Sequence, residues 1–152
     1  MTIFNGDYRY LVKWMFAICS ALLLTGCGEV ESVSLKIGER EVIAELAVTP
    51  EARNRGLMHR DHLGADEGML FVFPSQRIRQ FWMRNTPIPL DIGFFDREGV
   101  LVNYLSMSPN SDTIHRSSRP ALYALEMNRG WYRQNGIEPG MKLQLPYEIE
   151  GR

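Results

Sequence analysis

Val33-Ser34-Leu35-Lys36-Ile37 and Val42-Ile43-Ala44-Glu45-Leu46-Ala47-Val48, with Gly38-Glu39-Arg40-Glu41 between them, form the stretch from which the fold is read. In the first run Val33, Leu35 and Ile37 alternate with polar residues; in the second, Val42, Ala44, Leu46 and Val48 fall on every other position. A period of two puts one set of side chains on one face of a pleated strand. Two such runs across a Gly38-Glu39 turn predict a β-hairpin with one buried face.

Downstream, Thr49-Pro50-Glu51 is a helix start: a capping hydroxyl, a proline at the first helical position and an acid in the first turn. Gly56 limits that helix to about two turns. Further strand-like runs are Met69 to Phe73, Gln80 to Arg84, Ile92 to Asp96, Val100 to Met107, Leu122 to Met127 and Met141 to Leu145. Turns are supplied by Asp66-Glu67-Gly68, Asp96-Arg97-Glu98-Gly99 and Asn128-Arg129-Gly130. Trp131-Tyr132-Arg133 reads as a short helix ending at Gly136, used for packing. Ser106 to Pro120 is polar and without alternation, a long surface loop. Many short strands with little helix predict a mainly β domain, a β-rich α+β fold: one compact antiparallel sandwich or open barrel with one or two short helices over residues 33–147, followed by a tail at 148–152.

Upstream, residues 1–26 read as a segment that is removed. Met1 to Trp14 carries Arg9 and Lys13 against Asp7, and Met15 to Leu24 is apolar or small without charge. That is the layout of a signal peptide, and the apolar run is shorter than the roughly 20 residues that span a bilayer. It ends in Leu24-Thr25-Gly26-Cys27, which resembles the lipobox of bacterial lipoproteins. The resemblance implies a lipid-modified Cys27 as first mature residue, residues 27–32 as a tether, and a membrane partner through the acyl chains. Gly28 rather than aspartate after the cysteine points to the outer membrane, with the domain in the periplasm. A plain secretory signal cut near Ala21 or Gly26, or an uncleaved anchor, would leave the same domain in the cell envelope.

The chain's two cysteines, Cys19 and Cys27, both precede residue 28. No thiol is left for a disulfide, a cysteine nucleophile or a thiolate metal site. With 17 basic against 18 acidic side chains and a net charge of −1, there is no general attraction to polyphosphate, so no nucleic-acid partner is expected. The pattern G-x-S-x-G is absent, which removes one common signal for nucleophilic hydrolysis. His59 and His62 near Asp61, Asp66 and Glu67 are too few for a metal site, and neither metal nor cofactor is expected.

The densest chemistry lies between Arg53 and Asp96. Six arginines (Arg53, Arg55, Arg60, Arg77, Arg79 and Arg84) stand there against the acids Asp61, Asp66 and Glu67 up to Arg84. Guanidinium forks suit carboxylates and phosphates. Asn85-Thr86-Pro87-Ile88-Pro89-Leu90-Asp91 carries two prolines that cannot donate in a sheet, so an extended, unpaired segment with backbone open to a ligand is expected. Glu126 shares a strand face with Leu122 and Ala124, which sends a carboxylate toward an apolar surface where it needs a partner. One reading is a pocket for a small polar or anionic ligand built from Arg55, Arg60, Asn85, Thr86, Asp91 and Glu126. The other is that Arg55 and Arg60 pair with Asp91 and Glu126 and lock the turn to the sheet. Phe81, Trp82, Met83, Met58 and Met69 read first as core.

Three blocks, Gly56-Leu57-Met58-His59-Arg60, Gly68-Met69-Leu70-Phe71 and Phe81-Trp82-Met83-Arg84-Asn85-Thr86-Pro87-Ile88-Pro89-Leu90-Asp91, resemble the hallmark of domain of unknown function family 192, with Leu125-Glu126 and Gly130 also in place. The resemblance covers about residues 33 to 147 and implies one domain; that family carries no established activity. From the residues, two functions compete: a non-catalytic envelope module binding a small ligand or an envelope protein, and a cell-wall or glycan hydrolase with Asp91 and Glu126 as acid and base. A purely structural envelope role is the third, and it calls for an exposed apolar patch.

Overall fold

The computed structural model describes residues 31–152; the signal segment, the lipobox and Cys27 lie outside the described residues. The alternating runs form β1 (Ser32–Ile37) and β2 (Arg40–Ala47), paired antiparallel with Leu35 opposite Val42. Gly38 turns the hairpin at φ +57°, a left-handed conformation that a side chain disfavours. Helix α1 (Pro50–Arg55) follows, its start fixed by the Thr49 hydroxyl, which accepts from the Ala52 amide at 3.2 Å. Its end is fixed by Gly56 at φ +48°.

Strands β3 (Glu67–Arg77), β4 (Gln80–Phe81), β5 (Leu90–Phe95), β6 (Leu101–Met107), β7 (His115–Arg116) and β8 (Ala121–Asn128) come next, then α2 (Trp131–Gln134) and β9 (Leu143–Gln144). The main sheet runs β6-β5-β8-β3-β2-β1-β9. It curls, and its two edges meet at one end, where the Leu143 amide donates to Gly99 O and the Leu101 amide to Met141 O. The open-barrel alternative is therefore the one realised. All pairs in it are antiparallel except β2 with β3, which run parallel. A parallel pair needs a crossover; residues 48–66, which include α1, supply it and lay the helix across one face of the sheet.

The sheet accordingly has two buried faces. The inner one gathers Leu35, Val42, Leu70, Leu125, Met127, Leu143 and the α2 residues Trp131 and Tyr132. The outer one gathers Leu57, Met69, Phe71, Met83, Ile92, Phe94 and Ala124 beneath α1 and the loops. Tyr132 lies over Gly93, where any Cβ would overlap its ring, and donates its hydroxyl to Leu125 O at 2.8 Å.

Three local expectations are corrected. The run Gln80 to Arg84 is a strand for only two residues, because Asn85 adopts φ +56° and bends the chain. Those two residues pair not with the main sheet but with β7, from within the segment expected to be an unpaired loop: Phe81 stands opposite His115. The tail at 148–152 is docked rather than free. Ile149 is buried, the Arg152 amide donates to Val48 O at 2.7 Å, and Arg152 O accepts from Arg53 Nη2 at 2.6 Å.

Candidate functional site

Alternation along β3 and β8 decides which side chains meet on the outer face. Met69, Phe71 and Phe73 share it on β3, and Glu126 stands opposite Met69 on one side and Ile92 on the other. Above this patch α1 and its following turn, Trp82 and Ile114 leave a cavity of about 450 Å³ open to solvent. Phe71, Phe73, Phe81 and Leu57 form its apolar walls, and Thr86 and Glu126 supply buried polar groups. Phe81 meets Phe71 edge to face at 4.9 Å and Phe94 at 5.8 Å, which fixes the wall.

Glu126 is only 4% exposed, and its carboxyl has no hydrogen-bond or ion-pair partner among the described residues. Burial without a countercharge disfavours the ionised form, and it pushes this carboxyl up to about 8. Most polar side chains that reach such depth are satisfied. This one borders a cavity large enough for a ligand.

The six expected binding residues divide. Arg55, Thr86 and Glu126 line the cavity: Arg55 is exposed at the mouth, and Thr86 is buried with its hydroxyl on Arg84 O at 3.3 Å. Arg60 does not reach it, because its guanidinium is held by Glu45 of β2 at 2.6 Å. Asn85 is exposed, and its carbonyl accepts from the His59 amide at 2.8 Å. Asp91 is on the other face of the sheet. It stands opposite Met127 rather than Glu126, is 1% exposed, and accepts from Ser106 Oγ at 2.6 Å and from the Gly130 amide at 2.8 Å. Its work is to hold the α2 turn onto the sheet.

Both sequence readings of these charges are thereby corrected. Neither arginine pairs with Asp91 or Glu126; the two carboxylates are separated by the sheet and cannot flank one glycosidic bond. The supply of free guanidinium groups is also smaller than the arginine count suggests. Arg53 donates to Val48 O, Val72 O and Arg152 O, Arg79 to Ala121 O and Ser75 O, and Arg84 to Asp112. Backbone exposed to a ligand is likewise missing at two expected places, since Thr86 O accepts from Asn110 N and Pro89 O from Arg129 N. Of the residues read as core, Met83 and Met69 are buried, Phe81 walls the cavity, and Trp82 stands 44% exposed at its mouth under the Arg84 guanidinium.

Sequence reasoning missed the cavity walls at Phe71 and Phe73. The signal was present in the alternation Met69, Phe71, Phe73 once Glu126 was placed on the same face. Among the described residues no three histidine, aspartate or glutamate side chains converge as a metal site.

The comparisons with known proteins agree with this fold. A protein from Sinorhizobium meliloti 1021, assigned provisionally as a transcription regulator, is 34% identical, with a TM-score of 0.74 over 76% of this chain and 95% of its own. A protein of unknown function from Novosphingobium aromaticivorans DSM 12444 is 33% identical, with a TM-score of 0.73 over 83% of this chain and 94% of its own. No curated protein shows significant similarity to the chain. The model of the family DUF192 (Uncharacterized ACR, COG1430) matches residues 33–145, and the chain belongs to that family.

Proposed function

We propose that the protein is a non-catalytic binding module of the bacterial cell envelope, and that the cavity between α1 and Glu126 holds a small ligand with an apolar body and one polar end. The observation that carries this reading is the unpartnered Glu126 carboxyl at an aromatic-walled, solvent-open cavity. The carboxyl has no protein partner and meets solvent only through the cavity, so a ligand that fills the cavity has to replace the hydrogen bonds made to solvent there, and one that does so is selected. The other carboxylate in the same row of this face, Glu45 of β2 opposite Met69, is held by the Arg60 guanidinium and does not line the cavity, which favours binding over turnover.

Attachment through a lipidated Cys27 belongs to the same proposal. The Glu31 carbonyl accepts from the Leu46 amide at 2.8 Å, so the tether joins the domain at the end of β2 that leads into α1. The chain from Cys27 to Glu31 can span at most about 14 Å, which would keep α1 and the cavity mouth close to the membrane surface. Acyl-chain labelling in a bacterial host tests the anchor. Label is expected on the wild type and not on Cys27→Ser; equal labelling of both would exclude this lipidation site.

For the cavity, amide chemical-shift mapping with benzyl alcohol is the test. Saturable shifts at Leu57, Phe71, Phe81, Thr86 and Glu126 are the expected result. Shifts confined to other surfaces, or none at millimolar ligand, would remove the binding-module reading.

A further inference from the structure

The chemistry of the polar end follows from what surrounds Glu126. Its strand neighbours across the sheet are Met69 and Ile92, and Leu57, Phe71, Phe81 and Thr86 share the cavity with it. None of these carries charge. The ionisable groups lining the same cavity are Arg53 and Arg55 of α1. Arg53 is committed to three carbonyl oxygens, and Arg55 is exposed to solvent at the mouth. Asp91 and Tyr132 lie across the sheet, Asp91 on the Gly130 amide and Tyr132 on Leu125 O. No side chain of the described protein hydrogen-bonds the carboxyl, so its partner comes from solvent in the cavity or from a ligand.

The aromatic rings narrow the choice. A ring face can hold a cation that has no N–H group. Here the Phe73 face already carries Arg79 at 3.7 Å and the Trp82 face carries Arg84 at 4.3 Å. Phe71 and Phe81 are left without a cation, and of the attractions that remain the carboxylate is the stronger, above all for a group that also donates hydrogen bonds. Resting on the binding-module reading above, we infer that the cavity selects a primary ammonium group on a compact apolar or aromatic stem, seated on the Glu126 carboxylate. Neutral alcohols gain only an ordinary hydrogen bond, and a cation without N–H groups gains none.

The inference has a proton balance. In the empty protein at neutral pH the carboxyl is mostly protonated. Binding of an ammonium stabilises the carboxylate, so the Glu126 proton leaves to the buffer while the ligand keeps its own three. One proton is released per ligand at pH below about 8, and amine affinity rises about fifty-fold between pH 6 and pH 8 as the ionised fraction grows.

Calorimetric titration of the full-length chain with benzylamine, benzyl alcohol and benzyltrimethylammonium, in two buffers of different ionisation enthalpy, tests this. Expected are tighter binding of benzylamine than of the other two, release of close to one proton at pH 6.5, and loss of both the preference and the release in Glu126→Gln. Equal binding of amine and alcohol without proton release would overturn the inference and leave the cavity reading standing. Equal binding of benzyltrimethylammonium would overturn it in favour of a ring-face cation site. Binding of none of the three would remove both.

Discussion

Replacing Glu126 by glutamine keeps the size and shape of the side chain and removes its titration. In the wild type the folded carboxyl sits near 8 against an ordinary value of 4.5, because burial disfavours its charge. A group whose proton is held more tightly in the folded state contributes its full stability below the unfolded value and loses it as pH rises toward the folded one. The window is therefore pH 4.5 to 8. Between these values folding must drive a proton onto a carboxyl that is ionised in the unfolded chain, and that uptake costs more free energy at each higher pH. At about 1.4 kcal/mol per pH unit, the wild type loses about 3 kcal/mol relative to Glu126→Gln between pH 5 and pH 8. Urea unfolding of both proteins at half-unit steps measures the difference, and every other titrating group cancels in the comparison. The glutamine variant should gain steadily on the wild type through this window. Two stability curves that stay parallel from pH 5 to pH 8 would show that Glu126 is solvated or already paired, and would refute the reasoning.

Other substitutions separate fold from site. Asp91→Asn disturbs the bonds from Ser106 and Gly130 and should cost about 1–3 kcal/mol in urea unfolding while leaving ligand binding at the Glu126 cavity unchanged, because the two side chains occupy opposite faces of the sheet. Gly93→Ala places a methyl group into the Tyr132 ring and should cost about 1–3 kcal/mol, visible as a lowered melting temperature. Arg60→Ala breaks only a partly exposed pair with Glu45 and should change stability by under about 1 kcal/mol. Its effect on benzylamine affinity should be within error.

Much of the architecture was legible along the chain because it rests on local rules. Alternation gave the β1–β2 hairpin, the Thr49-Pro50 pair gave the start of α1, and Trp131-Tyr132 gave α2 as a packing element. The parallel pairing of β2 with β3 was not legible, since nothing in either strand's own pattern states its partner's direction. The pairing of Asp91 with Glu126 failed for a related reason. Which residue stands opposite which is set by register, and a one-residue difference moves a side chain to the other face. Of the two arginines expected in the pocket, Arg55 lines the cavity and Arg60 is turned away by Glu45; the commitment of Arg53 and Arg79 to backbone carbonyls, acceptors that every residue carries, leaves no mark in the sequence. Glu126 was legible as a carboxylate aimed at apolar surroundings and in need of a partner. That the partner is missing from the folded chain is visible only in the structure.

Carbon-13 NMR titration of the Glu126 side-chain carboxyl, assigned by comparison with Glu126→Gln, tests the central claim most directly. A midpoint near 8 in the free protein, moving down when benzylamine is saturating, is the predicted result. A midpoint near the ordinary 4.5, unchanged by benzylamine, would contradict a buried and unpartnered carboxyl awaiting a ligand.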